Sequence, residues 1–250
     1  MNAADAYFDN LIRLIGTART TQKDAMETAA RWMSEATVNG RNLFAFGCSH
    51  AGLLALELYY RTGGMVNINP IRAPGLNLDY DPVTMTSEME RMVGYGAIIA
   101  DNQPIGAGDV VIVHSVSGRN PVPVDFAARC REKGAKVICL TSMESERNAV
   151  SRHPSGKLLA DVSDLVLDNC GCVGDGSVTI DGVPEKVGPT STAVGAAILN
   201  AVVARCVELT VQAGFKAPVF RSANVDGGDE HNRAVLAEYK DHIFYMGHTL

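Results

Sequence analysis

Residues 110–130 read VVIVHSVSGRNPVPVDFAARC. The opening aliphatic run has no polar alternation, so it reads as a strand buried on both faces. From Pro121 the stretch reads as a helix. Between the two sit Ser115, Val116, Ser117, Gly118, Arg119 and Asn120. Such residues at a strand's end suit an anion. Hydroxyls donate hydrogen bonds without bulk, and glycine lets the backbone turn tightly against a ligand. Helix capping explains any one of them equally well.

The same grammar recurs on both sides of this stretch. RNLFAFG (41–47), MVNINPI (65–71), KVICLTS (136–142) and DLVLDN (164–169) read as strands. SHAGLLALELYYRTGG (49–64), SEMERMVGYGAIIADNQ (87–103) and the long apolar stretch 190–214 read as helices. Short strands alternating with helices imply a doubly wound α/β fold. Its mostly parallel sheet is the middle of three layers, and ligands sit at the strands' carboxyl ends. Residues 171–189 read as a glycine-rich hairpin. Residues 4–38 read as two helices parted near 16–21, with Phe8, Leu11, Ile12 and Ile15 sharing one apolar face. The expected organisation is a single domain over 1–250: a helical extension (1–40), an α/β core (41–213), and a C-terminal loop and helix (214–250).

Composition narrows the function classes. The chain has 250 residues, a net charge of −6 and no long basic run, which disfavours generic nucleic-acid binding. An acidic protein that binds an anion must do so at a local site. The first 16 residues lack the pattern of a secretory signal, and no apolar run reads as a membrane span, so a cytoplasmic protein is expected. The six cysteines show no disulfide spacing. Cys170 and Cys172 form a close pair without further ligands nearby, so no metal is expected.

Three strand-end loops converge in such a fold. They are Gly47-Cys48-Ser49-His50-Ala51-Gly52, Ser115–Asn120, and Pro189-Thr190-Ser191-Thr192. Each places hydroxyl or glycine residues at a helix start, where backbone N–H groups and the positive helix end favour an anion. None follows the dinucleotide or ATP glycine patterns, so no such cofactor is expected.

The stretch from VVIVHSVSGRN to REKGAKVICLTS resembles the core of the SIS (sugar isomerase) domain. ELYYRTGG, SRHPSGK, KVGPTSTAVGAAILNAVV and SANVDGGDEHN are similar to stretches of a bacterial SIS-domain family sometimes labelled phosphoheptose isomerase. The resemblance covers nearly the whole chain. It implies a five-stranded parallel sheet and a homodimer or dimer of dimers with shared sites. It also implies a Ser-x-Ser-Gly-x-Thr/Asn phosphate loop, here Ser115, Ser117, Gly118 and Asn120. Members include aldose–ketose isomerases, other sugar-phosphate enzymes and regulators that only sense sugar phosphates, so fold alone does not choose. The first loop departs from the pattern. It lacks a full Gly-x-Gly-x-Ser, and Ser49 stands where close relatives are expected to carry glycine.

Isomerisation through an enediol needs a base that moves a proton between carbons and an acid that opens the ring. Glu57, a carboxylate within LLALELYY, is the candidate base; the alternative is an ordinary pair with Arg61 one turn on. His231, in DGGDEHN, is the candidate acid, with Glu230 as runner-up or orienting group; the alternative is a helix-start cluster. In SIS isomerases such a histidine often reaches the neighbouring subunit's site. Ser49, His50, Ser115, Ser117, Gly118, Arg119, Asn120, Thr190, Ser191 and Thr192 are the expected substrate contacts. Arg119 either pairs with the anion or points to solvent. His114 reads as a satisfied core histidine. His153, between Arg152 and Lys157, reads as an anion contact, a lid or a solvated loop. Asp79, Asp81 and Glu88 are candidates for shaping specificity. The expected partner is a sugar phosphate, or a sulfonated or carboxylated sugar, with neither nucleic acid nor membrane.

Overall fold

The computed structural model describes residues 2–247. Helices α1 (Ala3–Thr21) and α2 (Lys23–Val38) lead into strand β1 (Leu43–Gly47). A 3-10 turn over Ser49–Gly52 and helix α3 (Leu53–Leu58) follow, then strand β2 (Ile68–Pro70). The region expected as one helix over 87–103 is two, α4 (Met85–Met89) and α5 (Tyr95–Asp101). Gly94 separates them: its φ of +86° is left-handed, and its N–H donates to Asp125 Oδ2 at 2.6 Å.

Next come β3 (Val110–His114), α6 (Pro121–Glu132), β4 (Lys136–Thr141), α7 (Met143–Arg147) and β5 (Leu165–Asp168). Strands β6 (Gly176–Val178) and β7 (Val187–Pro189) form the expected hairpin. Helices α8 (Ser191–Gln212) and α9 (Gly228–Glu238) follow, and 3-10 turns over Ala160–Val162 and Lys240–His242 complete the described elements.

The main sheet is wholly parallel, in the order β2-β1-β3-β4-β5. The order reverses between β1 and β3, so the loops leaving those strands diverge and open a crevice. Alternation along the strands splits the core in two. Leu43, Ala45, Val110, Ile112, Ile138 and Leu140 face α2, α3 and α8. Phe44, Phe46, Val111, Val113 and Val137 face α5 and α6. Phe46 and Phe126 pack with ring centroids 4.2 Å apart, and each is fully buried. Burying such a side chain stabilises the fold by about 1.5–3 kcal/mol.

Three expectations change. Helix α1 runs unbroken through Gly16, and Leu14 and Ala18 are its buried residues, while Phe8 and Ile12 are 61% and 66% exposed. The shared apolar face of Phe8, Leu11, Ile12 and Ile15 therefore lies partly open. Helix α8 is long and apolar enough to cross a membrane by length and composition. Its Val194, Ile198, Leu199, Val202 and Cys206 are instead built into the core. Among the cysteines, Cys48, Cys130, Cys139 and Cys206 are buried, while Cys170 and Cys172 are partly exposed. Burial pushes the Cys130, Cys139 and Cys206 thiols up to about 12, so they are poor nucleophiles.

Candidate functional site

The crevice between the β1 and β3 loops is a cleft of about 400 Å³. Ser49, His50, His114, Ser115, Ser117, Arg119 and Asn120 line it, joined by Cys48, Glu90 and Asp175. The first two loops thus meet, as the fold dictates.

The β3 loop is held rigidly from outside. Ser115 N–H donates to Leu140 O, Ser142 N–H to Val116 O, Leu159 N–H to Gly118 O, and Arg152 N–H to Arg119 O. Gly118 has a left-handed φ of +59°, and a Cβ there would run into the buried carboxylate of Glu146. That carboxylate accepts from Thr141 Oγ1 at 2.8 Å and from Ala160 N–H at 3.3 Å. Burial raises its pKa against those two bonds.

The inside of the same loop is unsatisfied. Among the described residues, the backbone N–H groups of Val116, Ser117, Gly118, Arg119 and Asn120 have no acceptor in the chain, and neither do the Ser115 and Ser117 hydroxyls. Successive amides of this kind make a concavity suited to an anion. The start of α6 adds little. Pro121 and Pro123 carry no N–H, and Val122 N–H donates to Glu90 O at 3.2 Å. The donors lie in the loop, not in the helix.

Asn120 is placed differently from its expected role. Its Nδ2 donates to Glu90 Oε1 at 2.5 Å, and its Oδ1 accepts from Arg152 Nη1 at 2.8 Å. Both ends of the amide are thus committed to bracing the wall. Arg119 Nε donates to Val150 O at 3.1 Å. Arg91, Arg119 and Arg152 gather on this side. Burial pulls the Arg152 guanidinium down, and Arg119 and Arg91 add to the effect. An acidic chain thereby presents a local positive field.

The third loop has its leading donors taken by the chain itself. Asp175 Oδ1 accepts from Thr190 N–H at 3.0 Å and Ser191 N–H at 2.8 Å, and Asp175 Oδ2 accepts from Ser191 Oγ at 2.5 Å. The positive end of α8 is filled by the chain's own carboxylate. Thr190 and Ser191 are buried behind it, and Thr192 is exposed away from the cleft lining. Asp175 itself, with a left-handed φ of +65°, faces the cleft.

Ser49 also takes a left-handed φ, +55°, the conformation glycine favours. Its N–H donates to Leu76 O at 2.7 Å. His114 is 2% exposed, yet only one of its ring nitrogens has a partner. Nδ1 donates to Ala51 O at 3.0 Å, and Nε2 has none. Burial pulls its pKa down, which favours the neutral ring.

Glu57 and His231 do not line this cleft. Glu57, on α3, pairs with Arg61 and accepts from Asn200 Nδ2 at 3.0 Å. His231, in the first turn of α9, donates from Nε2 to Val219 O at 2.9 Å. Glu230 is exposed, 3.5 Å from Arg233. His153 clasps the 150–158 segment to α6 through Asp125, at 2.8 Å, and bonds Ser155 at 2.6 Å. Glu88 is exposed, whereas Glu90 two residues on is half-buried in the cleft wall. Glu90, Glu146 and Asp175 carry no sequence signal, because each acts through a contact distant in the chain.

The sequence pattern of the SIS domain matches residues 6–142. The chain belongs to the SIS domain family. Curated relatives extend the likeness to nearly its whole length. A UPF0309 protein of Shouchella clausii is 43% identical over 98% of this SIS protein and 100% of its own length. One of Oceanobacillus iheyensis is 43% identical over 96% and 98%. Among solved structures, a phosphoheptose isomerase from Francisella tularensis has a TM-score of 0.53 at 18% identity, covering 83% of this chain and all of that one. A phosphoheptose isomerase from Neisseria gonorrhoeae has a TM-score of 0.50 at 19% identity, covering 84% and 97%. At such identities the likeness speaks for the SIS fold.

Proposed function

We propose that this SIS-domain protein binds a sugar phosphate in the β1/β3 cleft and interconverts its aldose and ketose forms through an enediol. The observation that carries the binding half is the run of uncommitted donors from Ser115 to Asn120. Five amides and two hydroxyls without acceptors in one loop suit a tetrahedral oxyanion. Ser49, His50 and Asp175 line the adjoining space and are assigned to the sugar's oxygens. The two phosphoheptose isomerases of like fold support the same class of ligand.

The catalytic half assigns Glu57 as base and His231 as ring-opening acid, delivered to the cleft by a second copy of the chain. Two features support a shared site. Two hollows that share Leu56 and Tyr59 flank α3, one lined by Ser49 and the other by Glu57 and Arg61. Of their lining residues, Leu53 and Leu56 of α3 are 38% and 43% exposed, leaving apolar surface open in one chain. A second reading, a sugar-phosphate sensor without turnover, is favoured by the placement of Glu57 and His231 outside the cleft of their own chain.

Incubation with a panel of aldose phosphates in heavy water separates the two readings. Enediol chemistry washes solvent deuterium into the carbon beside the carbonyl, and Glu57→Gln abolishes the exchange. Tight binding with no exchange across the panel supports the sensor.

A further inference from the structure

Glu90 occupies an unusual position. It follows α4, and its backbone oxygen accepts the Val122 N–H while its side chain accepts from Asn120. Backbone and side chain are thus both pinned against the start of α6, and the carboxyl group forms part of the cleft wall beside the Ser115–Asn120 loop. One oxygen, Oε1, is held by Asn120; among the described residues Oε2 has no hydrogen-bond partner in the chain. A carboxylate in the wall of an anion cleft opposes the anion unless it is neutral. When neutral it gains an O–H donor of its own.

We propose that Glu90 takes up a proton when the anion binds, so that its uncommitted oxygen becomes an O–H donor to the oxyanion on the loop. This rests on the anion reading of the loop, and makes Glu90 a specificity-determining residue of that site. The surroundings favour it. Burial raises the Glu90 carboxyl above the ordinary carboxylate range, and Arg91 and Arg152 oppose the shift without cancelling it. The other titratable or charged groups around the cleft are Cys48, His50 and His114 from the first two loops, Arg119, and Asp175 opposite. Of these only His50 is an exposed imidazole. The test therefore includes a variant that removes this imidazole.

Sulfate is the probe, because it carries no proton at working pH. Its binding to the full-length protein is followed by the amide shifts of Val116–Asn120 between pH 5 and 8. If one proton enters with each sulfate, affinity falls about tenfold per pH unit above the Glu90 pKa. Glu90→Gln, which keeps the acceptor for Asn120 and a permanent donor, flattens that dependence, while His50→Gln leaves most of it. Calorimetry of the unaltered protein in two buffers of different ionisation heat shows about one proton taken up per sulfate near pH 7. A pH slope unchanged in Glu90→Gln, or no proton uptake, overturns the proposal while leaving the anion site standing. Absence of any sulfate-induced shift in the 116–120 amides overturns both.

Discussion

The β3 loop and the turn into α8 carry nearly the same chemistry in sequence. Ser115-Val116-Ser117-Gly118 and Thr190-Ser191-Thr192 both set hydroxyls at a strand's end before a helix. In the fold they are opposites. The first leaves its amides from Val116 to Asn120 and its two hydroxyls without acceptors, while the second has the Thr190 and Ser191 amides and the Ser191 hydroxyl taken by Asp175. A hydroxyl-rich helix start is therefore an anion site only if the rest of the chain withholds its own carboxylate. Here it does so at one loop and not at the other.

The largest effect that breaks this contrast is expected from Gly118→Ala. The left-handed backbone alone costs about 1–3 kcal/mol in a non-glycine residue, and the added methyl collides with Glu146. Loss of phosphate binding in calorimetry, with a lower urea midpoint, is the expected outcome. Ser115→Ala and Ser117→Ala come next. Each removes a hydrogen bond to a charged group, about 1.5–3 kcal/mol, so each weakens binding at least tenfold with the urea midpoint little changed. Ser191→Ala should invert the pattern. It loses a cap-type bond to Asp175, lowering stability by about 1 kcal/mol, and leaves anion affinity within a factor of about two. Thr192→Ala, exposed and outside the cleft lining, should change neither measurement.

A pH series sharpens the same picture. Burial raises both Glu90 and Glu146, so the folded state holds their protons more tightly than the unfolded chain does. Their contribution to stability is present at low pH. It is lost as pH rises from the ordinary carboxylate range through the raised values. Urea unfolding from pH 4 to 7 should show that loss, and Glu146→Gln should reduce its slope.

Most of the fold was legible in the sequence because its strands are short, apolar and separated by helical patterns. The exceptions have local causes. Gly94, held by Asp125, splits a helix that periodicity reads as one, and the apolar face that periodicity gives α1 is half open. In the cleft, Ser115 and Ser117 were legible because the strand-loop-helix pattern sets them at the carboxyl end of β3, where such folds open a crevice. Asn120 was legible as a polar residue but not as a brace, since Glu90 and Arg152 lie about thirty positions away on either side. The capture of α8 by Asp175 was not legible, because a glycine-rich hairpin with Asp175, Asp181 and Glu185 gives no sign of which carboxylate lands there.

The most direct measurement is a crystal structure of the protein soaked with an aldose phosphate. The account predicts the phosphate on the amides of Val116–Asn120 and the hydroxyls of Ser115 and Ser117, with Asp175 still bound to Thr190 and Ser191. A phosphate seated instead on the start of α8, with Asp175 displaced and the 116–120 amides empty, would contradict it.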